Sequence, residues 1–337
     1  MGEEACVRSS AAVFCADFGK NGVCIYFIIK ESYMVKIRVP ATSANMGPGF
    51  DSMGIALTLY NYITAEETGD GKLVIDIPDD SEKYLARDER NLVYKAMQRL
   101  FRYIGYEHKG LKLTLENNVP LTRGLGSSSA GIVGGLAAAN KLTGGKVSDD
   151  ELLRLATELE GHPDNVSPAL LGGFTVSVLR KDRLGRIAVD YVKTDMNDDL
   201  RFAALIPDFI LKTKKSRTVL PNTVSRSDAV YNTGHSALLA SSLILGKYDN
   251  IRYAVGDKLH QRFRKTLVPH MDDLFSLCYA KGALGVYLSG AGPTVMAMVR
   301  RNNQNFEREV REALEKKYRR WSLKMLDVDN RGAAQIG

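Results

Sequence analysis

Eleven residues constrain this chain more than any others: Pro120-Leu121-Thr122-Arg123-Gly124-Leu125-Gly126-Ser127-Ser128-Ser129-Ala130. They follow Leu111–Glu116, whose period-two alternation predicts a strand, and they run into the apolar stretch Ile132–Ala139, a helix. Gly124 and Gly126 let backbone come close to a ligand. A helix starting directly behind them leaves its first N–H groups unpaired and its positive end outward, which makes an anion site. Phosphate is the natural occupant. The bland reading is a flexible Gly/Ser loop with a serine cap, and taken alone the segment does not choose between the two.

Other segments share this character. Pro40-Ala41-Thr42-Ser43-Ala44-Asn45-Met46-Gly47-Pro48-Gly49-Phe50-Asp51 carries a strand into a turn from which Asn45 and Asp51 can point into a cleft. Leu288–Thr294 is a second Gly loop between apolar strands, and Glu160-Gly161-His162-Pro163-Asp164-Asn165 sets polar groups at a helix end. Several nucleotide-site and hydrolase motifs are absent. There is no G-x-x-x-x-G-K-[S/T] loop, no G-x-G-x-x-G between strand and helix, and no G-x-S-x-G elbow. Asp17-Phe18-Gly19 spells a protein-kinase motif, but without the catalytic loop that should precede it, and is read as chance.

At 337 residues the chain has room for about two domains. Apolar residues at 45% and charged residues at 25% exclude a disordered tail, a collagen-like fibre and a membrane bundle. The net charge of +7 suits anionic ligands, and no interleaved basic and aromatic stripe supports nucleic-acid binding. No apolar run reaches the ~20 residues of a membrane span. Cys6, Cys15, Cys24 and Cys278 form no C-x-x-C pair, which makes a reducing cytoplasm the default. Residues 1–33 lack periodicity and are read as an extension outside the fold. From Met34 the chain alternates: strands at Val35–Pro40 and Lys72–Ile77, a helix at Asn91–Ile104, a helix capped at Ser148 and running to Glu160, and strands at Phe174–Leu179 and Phe202–Ile206. Helices are expected at Ala229–Leu245, Ile251–Phe263 and Asn305–Trp321, and strands at Ala283–Leu288 and Val295–Val299. The charged segment Arg180–Gly185 places a domain boundary near 180–200, dividing 34–190 from 191–330.

With those segments in that order, the chain resembles the GHMP small-molecule kinases. Pro40–Asp51 and His162–Asn165 are similar to the homoserine kinase branch, and Thr213–Arg217, Leu220-Pro221 and Leu259–Arg264 extend the match. The resemblance implies a two-domain α+β fold, with a mixed α/β, ribosomal-protein-like first domain and a ferredoxin-like second. It implies that Pro120–Ala130 wraps the triphosphate of ATP, that Asn91 faces the adenine, and that Ser128 and Glu160 hold Mg²⁺, with Glu158 a competing ligand. Arg217 and Arg264 would take the carboxylate of L-homoserine and Asp51 its ammonium, with Asn45, His162 and Asn165 fixing the hydroxyl and nearby atoms. His162, Asn165 and Arg217 are thereby the implied catalytic groups. Asn165 stands where several members have an aspartate, and an amide cannot accept a proton, so transfer would proceed without a strong base. The implied activity is ATP-dependent phosphorylation of homoserine in threonine biosynthesis. A GHMP kinase for another small alcohol, such as mevalonate, and a non-catalytic nucleotide sensor are the alternatives. No nucleic-acid or membrane partner is implied, and a homodimer is an open option. Without the resemblance, Arg217 and Arg264 read as surface arginines, Asp51 as a turn residue and His162 as a structural histidine. His108, His235, His260 and His270 show no metal-ligand spacing and are assigned nothing.

Overall fold

The computed structural model describes residues 34–336 apart from 182 and 184, together with two short upstream strands, β1 (Val13–Cys15) and β2 (Tyr26–Ile28), paired antiparallel with each other. The rest of 1–33, the expected extension, lies outside the described residues.

Strand β3 (Met34–Ala44) buries Val35, Ile37 and Val39 on one face, then both faces beyond Pro40. Pro40 has no N–H for the ladder, and the register with β4 (Met53–Glu67) shifts there. The far half of β4 pairs with β6 (Leu111–Asn117), which also takes β5 (Leu73–Asp76) in parallel. The near half pairs with β7 (Phe174–Lys181), and β7 with β8 (Ile187–Thr194). Helices α1 (Leu92–Ile104), α2 (Ser127–Leu142), α3 (Asp149–Glu160) and α4 (Pro163–Leu171) pack with this sheet into one core. In α1 the apolar positions Val93, Ala96, Met97 and Leu100 are buried together with Phe101, whereas Leu92 and Ile104, which the same spacing puts on the stripe, are exposed at its two ends.

The second sheet holds β9 (Leu200–Pro207), β10 (Gly285–Leu288), β11 (Val295–Arg300) and β12 (Trp321–Leu326) in the order β10-β11-β9-β12, all antiparallel. Helices α5 (Thr213–Thr218), α6 (Arg226–Ile244), α7 (Ile251–Ala254), α8 (Gln261–Arg264) and α9 (Met271–Ala280) connect β9 to β10, and α10 (Phe306–Lys317) connects β11 to β12. This is the ferredoxin-like βαββαβ arrangement. The strands alternate between two cores. Ala203 and Leu205 face α9 and α10, while Phe202, Ala204 and Ile206 face a central core shared with Ala41, Met53 and Ile55 of the first sheet. The last strand, β13 (Ala334–Gln335), returns to pair with β3. No helix of the described residues is long and apolar enough to cross a membrane.

Some expected boundaries differ. The helix expected at Ile251–Phe263 is broken: α7 ends at Ala254, and the Asp257 carboxylate takes the backbone N–H groups of Leu259, His260 and Gln261 before α8 begins. The helix expected to reach Trp321 stops at Lys317, and Trp321 opens β12. Strands β1, β2, β4, β8, β12 and β13 and helices α4, α5 and α9 had no counterpart in the sequence reading.

Candidate active site

The three Gly-rich segments meet at one cleft of about 470 Å³. Main-chain bonds knit them together: Thr42 N–H donates to Leu125 O (3.1 Å), Gly290 N–H to Ala44 O (3.0 Å) and Thr294 N–H to Arg123 O (3.2 Å). Ser289 Oγ donates to Gly124 O at 2.5 Å, and Asn45 Nδ2 to Gly290 O at 2.8 Å. Asn45, Met46 and Asp51, in the first loop, all have positive φ (65°, 47° and 56°). Strained non-glycine backbone of this kind persists where surrounding structure holds it, and it clusters at functional sites.

One end of the cleft is the start of α2. Gly126 occupies the cap position at φ 70° with no side-chain cap, so the helix's first N–H groups are left for a ligand. A Cβ on Gly126 would stand 1.9 Å from Thr42 Oγ1, so only glycine fits. Ser128 Oγ donates to Glu160 Oε2 (3.0 Å) and Ser129 Oγ to Glu160 Oε1 (2.9 Å), which joins the two expected metal ligands, Ser128 and Glu160. Glu158 is turned elsewhere, bonded to Arg99 (2.7 Å) and to Arg154. Tyr84, Leu85, Leu92, Val93 and Leu115 form an apolar wall beside this end.

Not every residue of the expected phosphate loop reaches the cleft with its side chain. Leu121, Thr122, Arg123, Gly124, Gly126, Ser127 and Ser128 line it, whereas Leu125, Ser129 and Ala130 are buried and Pro120 lies outside the lining. Arg123 donates to the carbonyls of Leu121, Pro207 and Asp208, stapling the loop to the second half of the chain. Asn91 caps α1 through Oδ1 and donates to Ala86 O through Nδ2, so both of its polar groups are engaged at the cleft's edge.

The other end is charged. Arg217 makes a two-pronged ion pair with Asp51 (2.8 and 3.1 Å), each about a third exposed. His162 Nδ1 bonds the buried Asp164, and ligand atoms of Asp51, His162 and Asp164 lie within 4.8 Å of one another. Burial pushes the His162 pKa down, but the bond and charge of Asp164, with Asp51 and Glu160 nearby, more than offset it and raise the pKa above 6.5. Asn165 Oδ1 accepts from Thr42 Oγ1 at 2.7 Å, and its Nδ2 lies 3.4 Å from Asp164 Oδ1. Arg264 lines the same end although its side chain is almost wholly buried. Asn45 spends both ends of its amide within the protein, accepting from Asp51 N–H as well as donating to Gly290 O. Sequence reasoning gave no role to Thr42, Lys212 or Thr213, nor to the apolar wall. Thr42 sits inside a segment already singled out, whereas Tyr84 and Leu85 lie in a charged turn with no periodicity to mark them.

Two family models match the chain: the GHMP kinases N-terminal domain over residues 91–173 and the GHMP kinases C-terminal model over 240–319. A homoserine kinase of Clostridium botulinum is 46% identical over 304 residues, covering 90% of this chain and 99% of its own length. One from Caldicellulosiruptor saccharolyticus is 46% identical over 302 residues, covering 89% and 96%. The crystal structure of a homoserine kinase from Cytophaga hutchinsonii superposes with a TM-score of 0.81 at 28% identity, over 93% of this chain and all of the other. An L. major mevalonate kinase shares the fold at a TM-score of 0.67 and 16% identity, over 89% and 97% of the two chains. Identity at this level along nearly the full length of such relatives places the chain in the homoserine kinase family of the GHMP kinases.

Proposed function

We propose that this chain transfers the γ-phosphoryl group of ATP to the side-chain hydroxyl of L-homoserine, giving O-phospho-L-homoserine and ADP in the route to threonine. One observation carries the reading: an uncapped helix start with the Ser128–Glu160 pair shares a cleft with the Asp51, His162, Arg217 and Arg264 cluster. The first suits a triphosphate and the second a small zwitterion. The family match supports the same pairing. The apolar wall of Tyr84, Leu92 and Val93 suits the base of the nucleotide.

The hydroxyl of Ser128 and the carboxylate of Glu160 are hard oxygen donors and fit Mg²⁺, which, when bound, neutralises charge on the transferring phosphates. The chain's own residues supply placement. The carboxylate of homoserine meets Arg264 and Arg217, and its ammonium meets the acidic corner of Asp51 and Asp164. The entering zwitterion thus exchanges the Asp51–Arg217 pair for two new ones. The substrate hydroxyl attacks phosphorus as the bond to the β-phosphate oxygen breaks. Its proton leaves to phosphate or water, because Asn165, tied through Oδ1 to Thr42, has no basic atom to offer. Phosphoryl transfer needs chiefly this positioning and charge neutralisation. Within this reading the halves divide after β8 and not at the expected 190/191, which would cut through that strand where it pairs with β7; residues 1–33 form an extension, and the setting is cytoplasmic.

Mevalonate has no ammonium group for the acidic corner, which disfavours it as the acceptor. A coupled ADP-release assay tests the proposal. Turnover that depends on homoserine supports it, and ATP binding without turnover on any small alcohol would favour a sensor instead.

A further inference from the structure

We infer that His260, buried behind the cleft, is a positioning residue for Arg264 and acts on it through Nδ1. The inference rests on the proposed role of Arg264 as the partner of the substrate carboxylate.

Arg264 is 1% exposed, yet among the described residues no carboxylate stands within ion-pair distance of it. Its Nε donates to Ser216 O at 3.3 Å, and its Nη1 to Gly290 O at 3.0 Å and to His260 Nδ1 at 3.1 Å. All three acceptors are neutral. They set the plane of the guanidinium without cancelling its charge, and Nη2 has no partner among the described residues. The carboxylates of Asp51, Asp257 and Asp164 act on it only from beyond ion-pair distance, and a buried cation with no directly bonded counter-ion is costly, a cost that an arriving anion relieves. Burial, with the neighbouring Arg217, outweighs the charges of Asp51, Asp257 and Asp164 and pulls its pKa down to about 10.

The partners of His260 dictate its tautomer. A guanidinium only donates, so Nδ1 presents its lone pair to Arg264. A carbonyl only accepts, so Nε2 carries the hydrogen, directed to Gly47 O at 2.8 Å. The ring is fully buried and stacked on Phe50, with centroids 5.2 Å apart. Asp257 holds its backbone through the N–H groups of His260 and Gln261. Gly47 completes the link. At φ 90°, with a Cβ position 2.2 Å from Val255 O, only glycine lets this carbonyl lie so close to the ring. His260 therefore ties the first Gly-rich loop to the arginine that awaits the substrate. A protonated ring would turn a donor toward the guanidinium and break the arrangement.

Two substitutions separate the nitrogens. His260→Asn keeps an acceptor near the Nδ1 position and loses the donor to Gly47. His260→Gln reaches toward Gly47 with a donor but offers Arg264 no acceptor. KM for homoserine should rise about 10-fold or more in H260Q and stay within about 3-fold of wild type in H260N, with KM for ATP unchanged in both. A merely structural histidine would lower thermal stability in both without that split. Equal KM values in the two variants, with wild type active on homoserine, would overturn the inference alone. A wild type inactive on homoserine would overturn the substrate reading and this inference with it. Nitrogen NMR of histidine-labelled wild type needs no variant to fold: a neutral ring protonated at Nε2 at pH 7 is expected, and protonation at Nδ1 would refute the proposal.

Discussion

Replacing Asp51 by Asn separates what the charged end does for substrate from what it does for the fold. The carboxylate is bonded to Arg217 at 2.8 and 3.1 Å, but the side chains are 34% and 38% exposed. An ion pair that wet contributes about 0–1 kcal/mol to stability, so the melting temperature should fall by a few degrees at most. Binding is a different matter. Removing one charged partner of the substrate ammonium loses a charge-assisted hydrogen bond of about 1.5–3 kcal/mol. At about 1.4 kcal/mol per tenfold, KM for homoserine should rise roughly 10- to 150-fold. KM for ATP should not move, because the α2 start and the Ser128–Glu160 pair are untouched. The assay is coupled ADP release, with each substrate varied in turn and thermal melts run alongside. A KM for homoserine within about 3-fold of wild type, or an equal rise for ATP, would refute the assignment of this end to the zwitterion.

Further substitutions test the rest of the cleft. Glu160→Gln should cost about 100-fold or more in kcat and weaken the dependence on Mg²⁺, while Glu158→Gln, whose partners are Arg99 and Arg154, should leave kcat within about 3-fold; equal losses would contradict the metal assignment. Gly126→Ala combines a left-handed backbone with a Cβ 1.9 Å from Thr42 Oγ1, and should destabilise by about 2–4 kcal/mol in urea titrations; a loss under about 0.5 kcal/mol would show the loop to be looser than described. The buried His260 and the half-buried His162 should give opposite pH dependences. Burial holds His260 at about 4, below the ordinary 6.5, so the unfolded chain takes the proton first and stability falls by about 3 kcal/mol as pH drops from 6.5 to 4. His162 is raised above 6.5, so the stabilisation from its pairing with Asp164 is full below 6.5 and fades as pH rises through its folded value. Urea titrations across pH should show the acid limb flattened in H260N and the upper limb flattened in a His162→Asn variant; unchanged limbs would refute both.

The parts of the site visible in the sequence were those with a local physical signature. A strand running into Gly-Leu-Gly and then hydroxyls can be recognised without tertiary information, and Gly126 does adopt the left-handed cap that such a sequence permits. The amphipathic stripe of α1 and the Ser148 cap of α3 were legible for the same reason. What was hidden depends on contacts between distant residues. Glu158 and Glu160 look alike in sequence, and only the packing of α3 against α1 and α2 sends one to Arg99 and the other to Ser128. Asn45 and Asn91 read as ligand-facing amides and both line the cleft, but the loop and cap bonds their polar atoms make could not be read from the sequence. His260 carried no signal, since its meaning comes from Gly47, 213 positions away, and from the side chain of Arg264. The long strand β4 escaped notice because its near half, buried on both faces, lacks clean alternation.

The most direct test is to incubate the purified chain with ATP, Mg²⁺ and a panel of small alcohols, following ADP release and identifying the phosphorylated product by phosphorus NMR. Stoichiometric ADP with O-phospho-L-homoserine, and little reaction with mevalonate, is the predicted result. ADP formation equal with and without homoserine, or faster with an alcohol lacking the amino group, would contradict it.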